Sequence, residues 1–198
     1  MSYPGTRVLG SASAMIALTI LFGSVRVTAA RANLINLNPC NSAVLTQPFA
    51  PWGDPAWYEL APGGDFEAST WTLSPRAQRV PGSEPYEATG SVGSWSLRLP
   101  AGSSAQSPPT CVDAAYPSVR FFIAGTGAVA VSVVAGGLAI PAGVAVAGPG
   151  WQPTPVMLTS SAILAALSDG VAQVSLRIQA LTGDPQIDDV YVDPWCRG

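Results

Sequence analysis

The sequence predicts an all-β protein: an antiparallel β-sandwich of jelly-roll type with an irregular N-terminal arm. From Asp65 onward, short runs of alternating apolar and polar residues recur between turns that contain Gly or Pro. Only residues 160–170 have the composition of a helix. Eight or so short strands with long, proline-bearing connections are typical of a sandwich. The predicted strands are 65–73, 92–99, 117–124, 127–135, 143–147, 155–159, 171–180 and 186–193.

Residues 1–32 have the features of a secretory signal peptide. Arg7 gives a positive start, an apolar run follows over 8–25, and "ARA" at 30–32 matches a small-x-small cleavage site. The alternative is a signal anchor that stays in the membrane, but the apolar run is short and broken for that role. We therefore expect a secreted protein whose mature chain starts at Asn33.

The chain after residue 32 is acidic. Three of the nine Arg lie in the predicted signal peptide, which leaves six Arg against twelve Asp and Glu, and the chain has no Lys. A surface of this charge without a basic run is unsuited to nucleic acid and to anionic membranes. Gly and Pro also interrupt 128–147, the most apolar later stretch. We expect neither a nucleic-acid partner nor a membrane partner after signal removal.

Residues 33–62 form the predicted arm and 63–198 the predicted sandwich, with no linker that would separate two domains. The arm carries four large aromatic residues, Phe49, Trp52, Trp57 and Tyr58. So many large apolar groups are unsuited to a solvated tail, so the arm is expected to pack on the sandwich. Trp52 and Trp57 could stack on a ligand from exposed positions, although burial against the sheet is the favoured interpretation.

The three cysteines are Cys40, Cys111 and Cys196. In an oxidising compartment two of them are expected to pair, and three pairings are possible. We favour a disulfide between Cys40 and Cys111, because each lies in a Pro-rich loop outside the predicted strands. Cys196 could then be free or could join another chain. The alternative is that all three are unpaired.

Alternation along the strands also assigns their two faces. In "SVRFFIA" the inward set is Val119, Phe121 and Ile123. The outward residues of three strands supply a predicted ligand-binding set: Arg98, Arg120, Phe122, Arg177 and Gln179. Such a surface could meet the hydroxyls of a sugar, and acidic saccharides in particular. The alternative is a solvated face whose Arg residues pair with nearby acids.

Acidic residues at the two ends of the sandwich predict a metal site. Asp188 shares the parity of Val190 and Val192, so it is expected on the inward side, where an unpartnered carboxylate is costly. Beside Asp65 and Glu67 it would offer hard oxygen ligands from separate segments, which suits a structural Ca²⁺. With no His and only three Cys, the chain is poorly suited to a zinc site. Alternatively, Glu67 bonds backbone amides or Arg79, and Asp188 caps a turn.

Three stretches, "GDFEASTW", "WSLRLP" and "IDDVYVDP", resemble the jelly rolls of carbohydrate-binding modules in the galactose-binding-like superfamily, in the group that includes xylan- and β-glucan-binding modules. The resemblance implies that Glu67 and Asp188 help to hold a structural calcium. Asp65 stands where that family more often has a small residue or Asn. The arm, with "PFAPWGD" ahead of "PGGDFE", is similar instead to secreted proteins of high-GC actinobacteria.

Together these features predict a protein that binds extracellular or cell-wall glycan without catalysis. The chain has no His, so it can form neither a Ser-His-Asp triad nor a Cys-His pair. One alternative is a structural or protein-interaction domain of the cell surface. Another is a glycosidase that works with two carboxylates, which would require two acids in a cleft, one with a raised pKa.

Overall fold

A computed structural model describes residues 44–113, 118–159 and 171–193, with the backbone alone for 111–113 and 171–172. The predicted signal peptide, Cys40, Cys196 and the predicted helix over 160–170 lie outside the described residues. The described strands are β1 (Leu45–Thr46), β2 (Tyr58–Leu60), β3 (Thr72–Leu73), β4 (Gln78–Pro81), β5 (Trp95–Arg98), β6 (Ser104–Gln106), β7 (Thr110–Asp113), β8 (Ser118–Ala135), β9 (Leu138–Val146), β10 (Gln152–Pro153), β11 (Met157–Leu158) and β12 (Val171–Asp193). A short 3-10 turn, Ala50–Trp52, follows β1.

The described strands confirm the predicted all-β, antiparallel class. β12 is the central strand and pairs with β8 from Ser175 to Asp193. On its other side β12 meets four strands in succession, β7, β6, β5 and β2. β8 in turn pairs with β9, β10 and β11. No helix in the described part of the chain has the length and apolar character needed to cross a membrane.

In two places, a pair of predicted short strands forms one long strand in the structure. The sequence analysis separated 117–124 from 127–135, and 171–180 from 186–193, at Gly and Pro residues. Instead β8 and β12 continue through these positions, with positive φ angles at Gly125, Gly127 and Gly183. A Cβ on Gly127 would lie 2.0 Å from the Thr182 carbonyl oxygen. The glycines therefore let two paired strands bend closely together rather than ending them.

The inward residues of both long strands fill one core. Val119, Phe121 and Ile123 lie in the same buried cluster as Val129, Val131 and Val133, as alternation predicts. Phe66 and Trp71 join this core from the loop before β3, and the Trp71 indole N–H donates to the Pro62 carbonyl at 3.0 Å. The predicted inward faces of these strands are confirmed.

A second, smaller cluster lies on the outer side of the same sheet. It consists of Phe49, Tyr58, Phe122 and Tyr191, all buried. Phe49 and Tyr58 come from the segment that was predicted to be an arm, and β2 from that segment pairs with β12 at Tyr191 and Val192. The arm residues that are described therefore cover part of the outer face.

The strand predicted over 65–73 is mostly a turn. Gly64 donates to the Ala61 carbonyl at 2.7 Å, and Phe66 adopts φ 53°, which sends its ring into the core. Gly64 also approaches β12, since a Cβ there would lie 2.6 Å from the Val190 carbonyl oxygen. Only Thr72 and Leu73 of the predicted range form a strand. Alternation mispredicted a strand here, because the left-handed backbone of Phe66 changes which of the following residues point inward.

Candidate ligand-binding site

The arm is fastened to the outer face through Asp54. The Asp54 carboxylate accepts hydrogen bonds from the Arg120 guanidinium at 2.5 Å and from the Tyr58 hydroxyl at 2.7 Å. Arg120 also donates to the Thr154 carbonyl and lies over the Phe49 ring, 4.3 Å from its centroid. Burial alone would raise the pKa of Asp54, but the hydrogen bonds from Tyr58 and Arg120 outweigh burial and lower it. Burial and the hydrogen bond to Asp54 raise the pKa of Tyr58.

Two members of the predicted ligand-binding set are therefore not exposed. Arg120 and Phe122 point outward from the main core, as alternation predicts, but both are buried. Alternation along a strand determines the face of a residue but not whether other chain segments cover that face. Arg120 instead holds the arm, and Phe122 lies within the second cluster.

Phe122 supports a pair of exposed aromatic rings. Trp52 from the arm and Tyr86 from the loop between β4 and β5 meet edge to face, with centroids 4.8 Å apart. Both rest on Phe122, at 5.4 and 5.5 Å. The Tyr86 hydroxyl donates to the Trp151 carbonyl at 2.7 Å. Trp52 is 38% exposed and Tyr86 43% exposed, so this pair, here called the aromatic patch, faces solvent.

Buried acids hold the loop that presents Tyr86. The Glu84 carboxylate accepts from the backbone N–H groups of Tyr86 at 2.5 Å and Ala88 at 2.9 Å. Asp188 accepts from the Ser83 hydroxyl at 2.6 Å and from the Glu84 N–H at 3.0 Å. Glu84 thus orders the loop from within, and Asp188 fixes the loop to β12. This arrangement resembles a capped turn, which was the alternative interpretation for Asp188.

The predicted inward position of Asp188 is wrong. Asp189 has φ 47°, and two residues of β12 oppose one residue of β8 at this bulge. The bulge reverses the parity, so Asp188 pairs with Phe122 on the outer side while Val190 enters the main core. Burial raises the pKa of the Asp188 carboxyl to about 7. Burial, and then the charge of Asp188, raise the pKa of Asp189 well above its ordinary value.

The acids predicted to bind calcium already accept hydrogen bonds from the protein. One Glu67 oxygen accepts from the backbone N–H groups of Ser94 at 2.6 Å and Trp95 at 3.0 Å, and Asp65 accepts from the Glu67 N–H at 3.3 Å. Within the described ranges, no three Asp, Glu or Cys side chains are arranged to hold a metal ion. The residues as placed do not fit a calcium site formed by Asp65, Glu67 and Asp188. Calcium binding stays a prediction.

The remaining members of the ligand-binding set do not converge. Arg98 forms an exposed ion pair with Asp184. Arg177 and Gln179 are exposed on the outer face, next to Ser132 and Ala130 of β8. Arg98 pairs in register with Gln186, nine residues from Arg177, or roughly 30 Å along β12. Strand pairing alone therefore does not bring these arginines into one site.

Cys111 lies in strand β7, where it pairs in register with Gln173 of β12, rather than in the predicted loop. The predicted disulfide partner Cys40 is outside the described residues, so the pairing stays a prediction.

Comparison with known proteins found relatives only among solved structures: neither a family model nor a curated protein matches the chain. The C-terminal family 6 carbohydrate-binding module of a marine laminarinase from Zobellia galactanivorans is 13% identical, with a TM-score of 0.43 over 66% of this chain and 95% of that chain. A β-1,3-glucan-binding family 6 module from Bacillus halodurans is 12% identical, with a TM-score of 0.42 over 62% of this chain and 87% of that chain.

A third similar structure, a family 6 module from Clostridium stercorarium in complex with cellobiose, is 14% identical. Its TM-score is 0.42 over 65% of this chain and 87% of that chain. The similar solved structures are thus mainly carbohydrate-binding modules, the class that the sequence motifs resemble. Similarity at this distance assigns no ligand to this chain.

Sequence reasoning missed Tyr86 and Glu84 as parts of a site. Both lie in "SEPYEATG", which reads as an ordinary surface loop. The one available signal was the acid two residues before the tyrosine, since Asp and Glu often accept hydrogen bonds from nearby backbone N–H groups in turns. Their distance of about 35 residues from Trp52 concealed the contact between the two rings.

Proposed function

We propose that this protein is a secreted, non-catalytic carbohydrate-binding protein that binds extracellular or cell-wall glycan through the aromatic patch. The supporting observation is the exposed pair Trp52 and Tyr86, held from beneath by the buried Phe122. Large aromatic side chains in contact with solvent are costly, and a rigid pair of them is suited to a ligand with apolar ring faces.

The chemistry of the patch suits a pyranose ring. The C–H face of a sugar stacks on an indole or phenol ring, while its hydroxyls need polar neighbours. Tyr86 and Trp52 are fixed before a ligand arrives, because Glu84 orders one loop and the ion pair between Asp54 and Arg120 orders the arm. Such preorganisation lowers the entropic cost of binding.

The proposal excludes catalysis for two reasons. The chain has no His. Among the described residues, the acids whose pKa values are raised, Asp188 and Asp189, are almost completely buried, and Glu84 beside them is buried too. A glycosidase acid must reach the glycosidic oxygen in an open cleft. The buried acids Glu84 and Asp188 instead hold the loop that presents Tyr86.

The test is binding of the mature chain, 33–198, to a glycan array, followed by calorimetry on the best glycan. Trp52→Ala and Tyr86→Ala are each expected to weaken binding about 3- to 10-fold, since a ring contact is worth about 0.5–1.5 kcal/mol. Trp57→Ala is the matched control, because Trp57 lies in the same arm, is 39% exposed, and makes no ring contact with the patch.

If Trp57→Ala weakened glycan binding as much as Trp52→Ala does, the binding site would not be the aromatic patch. No binding to any glycan would favour the second candidate, a protein-interaction domain of the cell surface. The observation that favours this candidate is that apolar side chains are exposed on β9, namely Leu138, Val144 and Val146.

A further inference from the structure

The elements that carry the aromatic patch also bring five acids to it: Asp54, Glu84, Glu87, Asp188 and Asp189. Two of these acids flank Tyr86 in its loop, and one follows Trp52 by two residues in the arm. The other two belong to β12, where Asp188 pairs in register with Phe122, the ring on which Trp52 and Tyr86 both rest. The patch therefore lies among acidic groups.

No free cation of the described residues offsets these acids. One basic residue, Arg120, lies in the segments that form and support the patch, which are 44–60, 82–90, 118–122, 150–154 and 188–193. Arg120 is 7% exposed, and its guanidinium already donates to the Asp54 carboxylate and the Thr154 carbonyl. The other four acids have no ion pair among the described contacts. The predicted preference for acidic saccharides thus depended on arginines that cannot act at the patch.

Aromatic rings beside carboxylates form a site suited to a cation. The face of an indole or phenol ring is the negative part of its quadrupole and attracts an ammonium group within about 6 Å. Glu87 is exposed next to Tyr86, and Glu84 is buried beneath the same loop, where water screens its charge less. Burial raises the pKa of Asp188 and Asp189, so these two add less negative charge near neutral pH. An anionic ligand would be repelled here, and a cationic one attracted.

We propose, on the basis of the proposed function, that the aromatic patch binds a glycan with free amino groups, which are protonated and therefore cationic. The sugar ring stacks on the patch, and its ammonium group lies over an aromatic face or beside Glu87. An uncharged hydroxyl at the same carbon cannot make this contact, and acetylation of the amine removes the charge. The net negative charge of the chain also attracts a polycation over a longer range.

The test is calorimetry with β-1,4-linked tetramers of glucosamine, N-acetylglucosamine and glucose, which differ only in the group on C2. At about pH 5.5 amines are protonated and an exposed glutamate is ionised. The mature chain, 33–198, is expected to bind the glucosamine tetramer at least about 10-fold more tightly than the other two. Raising the salt concentration from about 0.02 M to about 0.5 M should reduce this preference, because salt screens exposed charges.

Two variants that each remove one exposed carboxylate separate a local effect from that of net charge. In about 0.1 M salt, Glu87→Gln is expected to weaken binding of the glucosamine tetramer about 3-fold and to leave binding of the glucose tetramer unchanged. Asp184→Asn is the matched control and should change neither. Asp184 lies opposite Thr126, four residues beyond Phe122 on β8, or roughly 13 Å along the strand, which exceeds the screening length of about 10 Å.

Several results would overturn the inference and leave the proposed function intact. These are equal or tighter binding of the acetylated or glucose tetramer, a best glycan on the array that has no amine, and equal weakening by Glu87→Gln and Asp184→Asn. A lysine tetrapeptide that binds as tightly as the glucosamine tetramer would also overturn it, because charge alone would then suffice. If no glycan on the array binds, the proposed function fails together with the inference.

Discussion

At the scale of single residues, two ion pairs of similar chemistry differ in what surrounds them. Arg120 and Asp54 are 8% and 18% exposed, whereas Arg98 and Asp184 are 45% and 36% exposed. Water screens the second pair, and removing one partner leaves the other solvated. Removing Asp54 would instead leave Arg120 buried without a counter-charge.

Asp54→Ala is therefore expected to lower the free energy of unfolding by about 3 kcal/mol, and Asp184→Ala by less than about 1 kcal/mol. Chemical denaturation of both variants at neutral pH measures the difference. A loss below about 1 kcal/mol for Asp54→Ala as well would show that this ion pair contributes little to stability. The Asp54→Ala variant should also weaken glycan binding, because Asp54 holds in place the arm segment that carries Trp52.

The raised pKa of the Asp188 carboxyl predicts that the stability of the folded protein depends on pH. Its pKa in the folded protein is about 7, above the value of 3.8 for an exposed aspartate. Between these two pH values the folded state binds more protons than the unfolded state, so the contribution of Asp188 to stability is full below about pH 4 and is lost as the pH rises through 7. Asp188→Asn cannot ionise and should gain stability relative to wild type over that range.

Urea denaturation of both proteins from pH 4 to pH 9 checks this expectation. Asp184→Asn serves as the control, because it makes the same substitution at an exposed carboxylate. A constant difference between wild type and Asp188→Asn across the range would show that the carboxyl stays ionised in the folded protein.

At the scale of elements, the bend shared by β8 and β12 depends on glycine. Gly127 and Gly90 both have positive φ, 93° and 95°, so alanine is strained at either position. They differ in space: nothing lies within 4 Å of a Cβ on Gly90, whereas a Cβ on Gly127 meets the backbone of Thr182 and Gly183. The comparison thus separates backbone strain from steric conflict.

Gly90→Ala is expected to cost about 1–2 kcal/mol, the strain of a left-handed backbone. Gly127→Ala should cost at least about 2 kcal/mol more, because two paired strands must separate. Thermal unfolding of the two variants measures both effects. Similar losses would mean that the strands accommodate the methyl group by a small shift.

At the scale of the whole molecule, carboxylates join distant segments by accepting hydrogen bonds from them. Glu67 accepts from the start of β5, and Asp188 accepts from the loop after β4. These N–H and O–H donors compete with a calcium ion for the same carboxylates. We therefore expect the melting temperature of the mature chain to be the same in Ca²⁺ and in EDTA.

A rise of the melting temperature in Ca²⁺ that Asp188→Ala abolishes would confirm the calcium prediction. It would require Glu67 or Asp188 to exchange its present donors for the ion. Glu87→Ala is a suitable control for this measurement, since Glu87 is an exposed acid in the same loop.

The sequence by itself determined the all-β class and the inward face of β8, because alternation is a local property of the extended backbone. Val119, Phe121 and Ile123 entered the core as predicted, and Val174, Leu176 and Ile178 of β12 lie in the same core. Local patterns failed where a left-handed residue reset the parity, at Phe66 and Asp189. They also failed at Gly125 and Gly183, which predicted breaks in strands that continue, and at Cys111, which lies in β7 rather than in a loop.

Only the tertiary structure decided what the outward residues do. Arg120 of β8 and Arg177 of β12 both point to the outer face of the sheet. Arg120 is nevertheless buried under the arm, whereas Arg177 is exposed. Whether each arginine is buried depends on which distant segment covers its part of the face, and no local pattern encodes this coverage. The aromatic patch arises in the same way, from three segments that meet only when the chain folds.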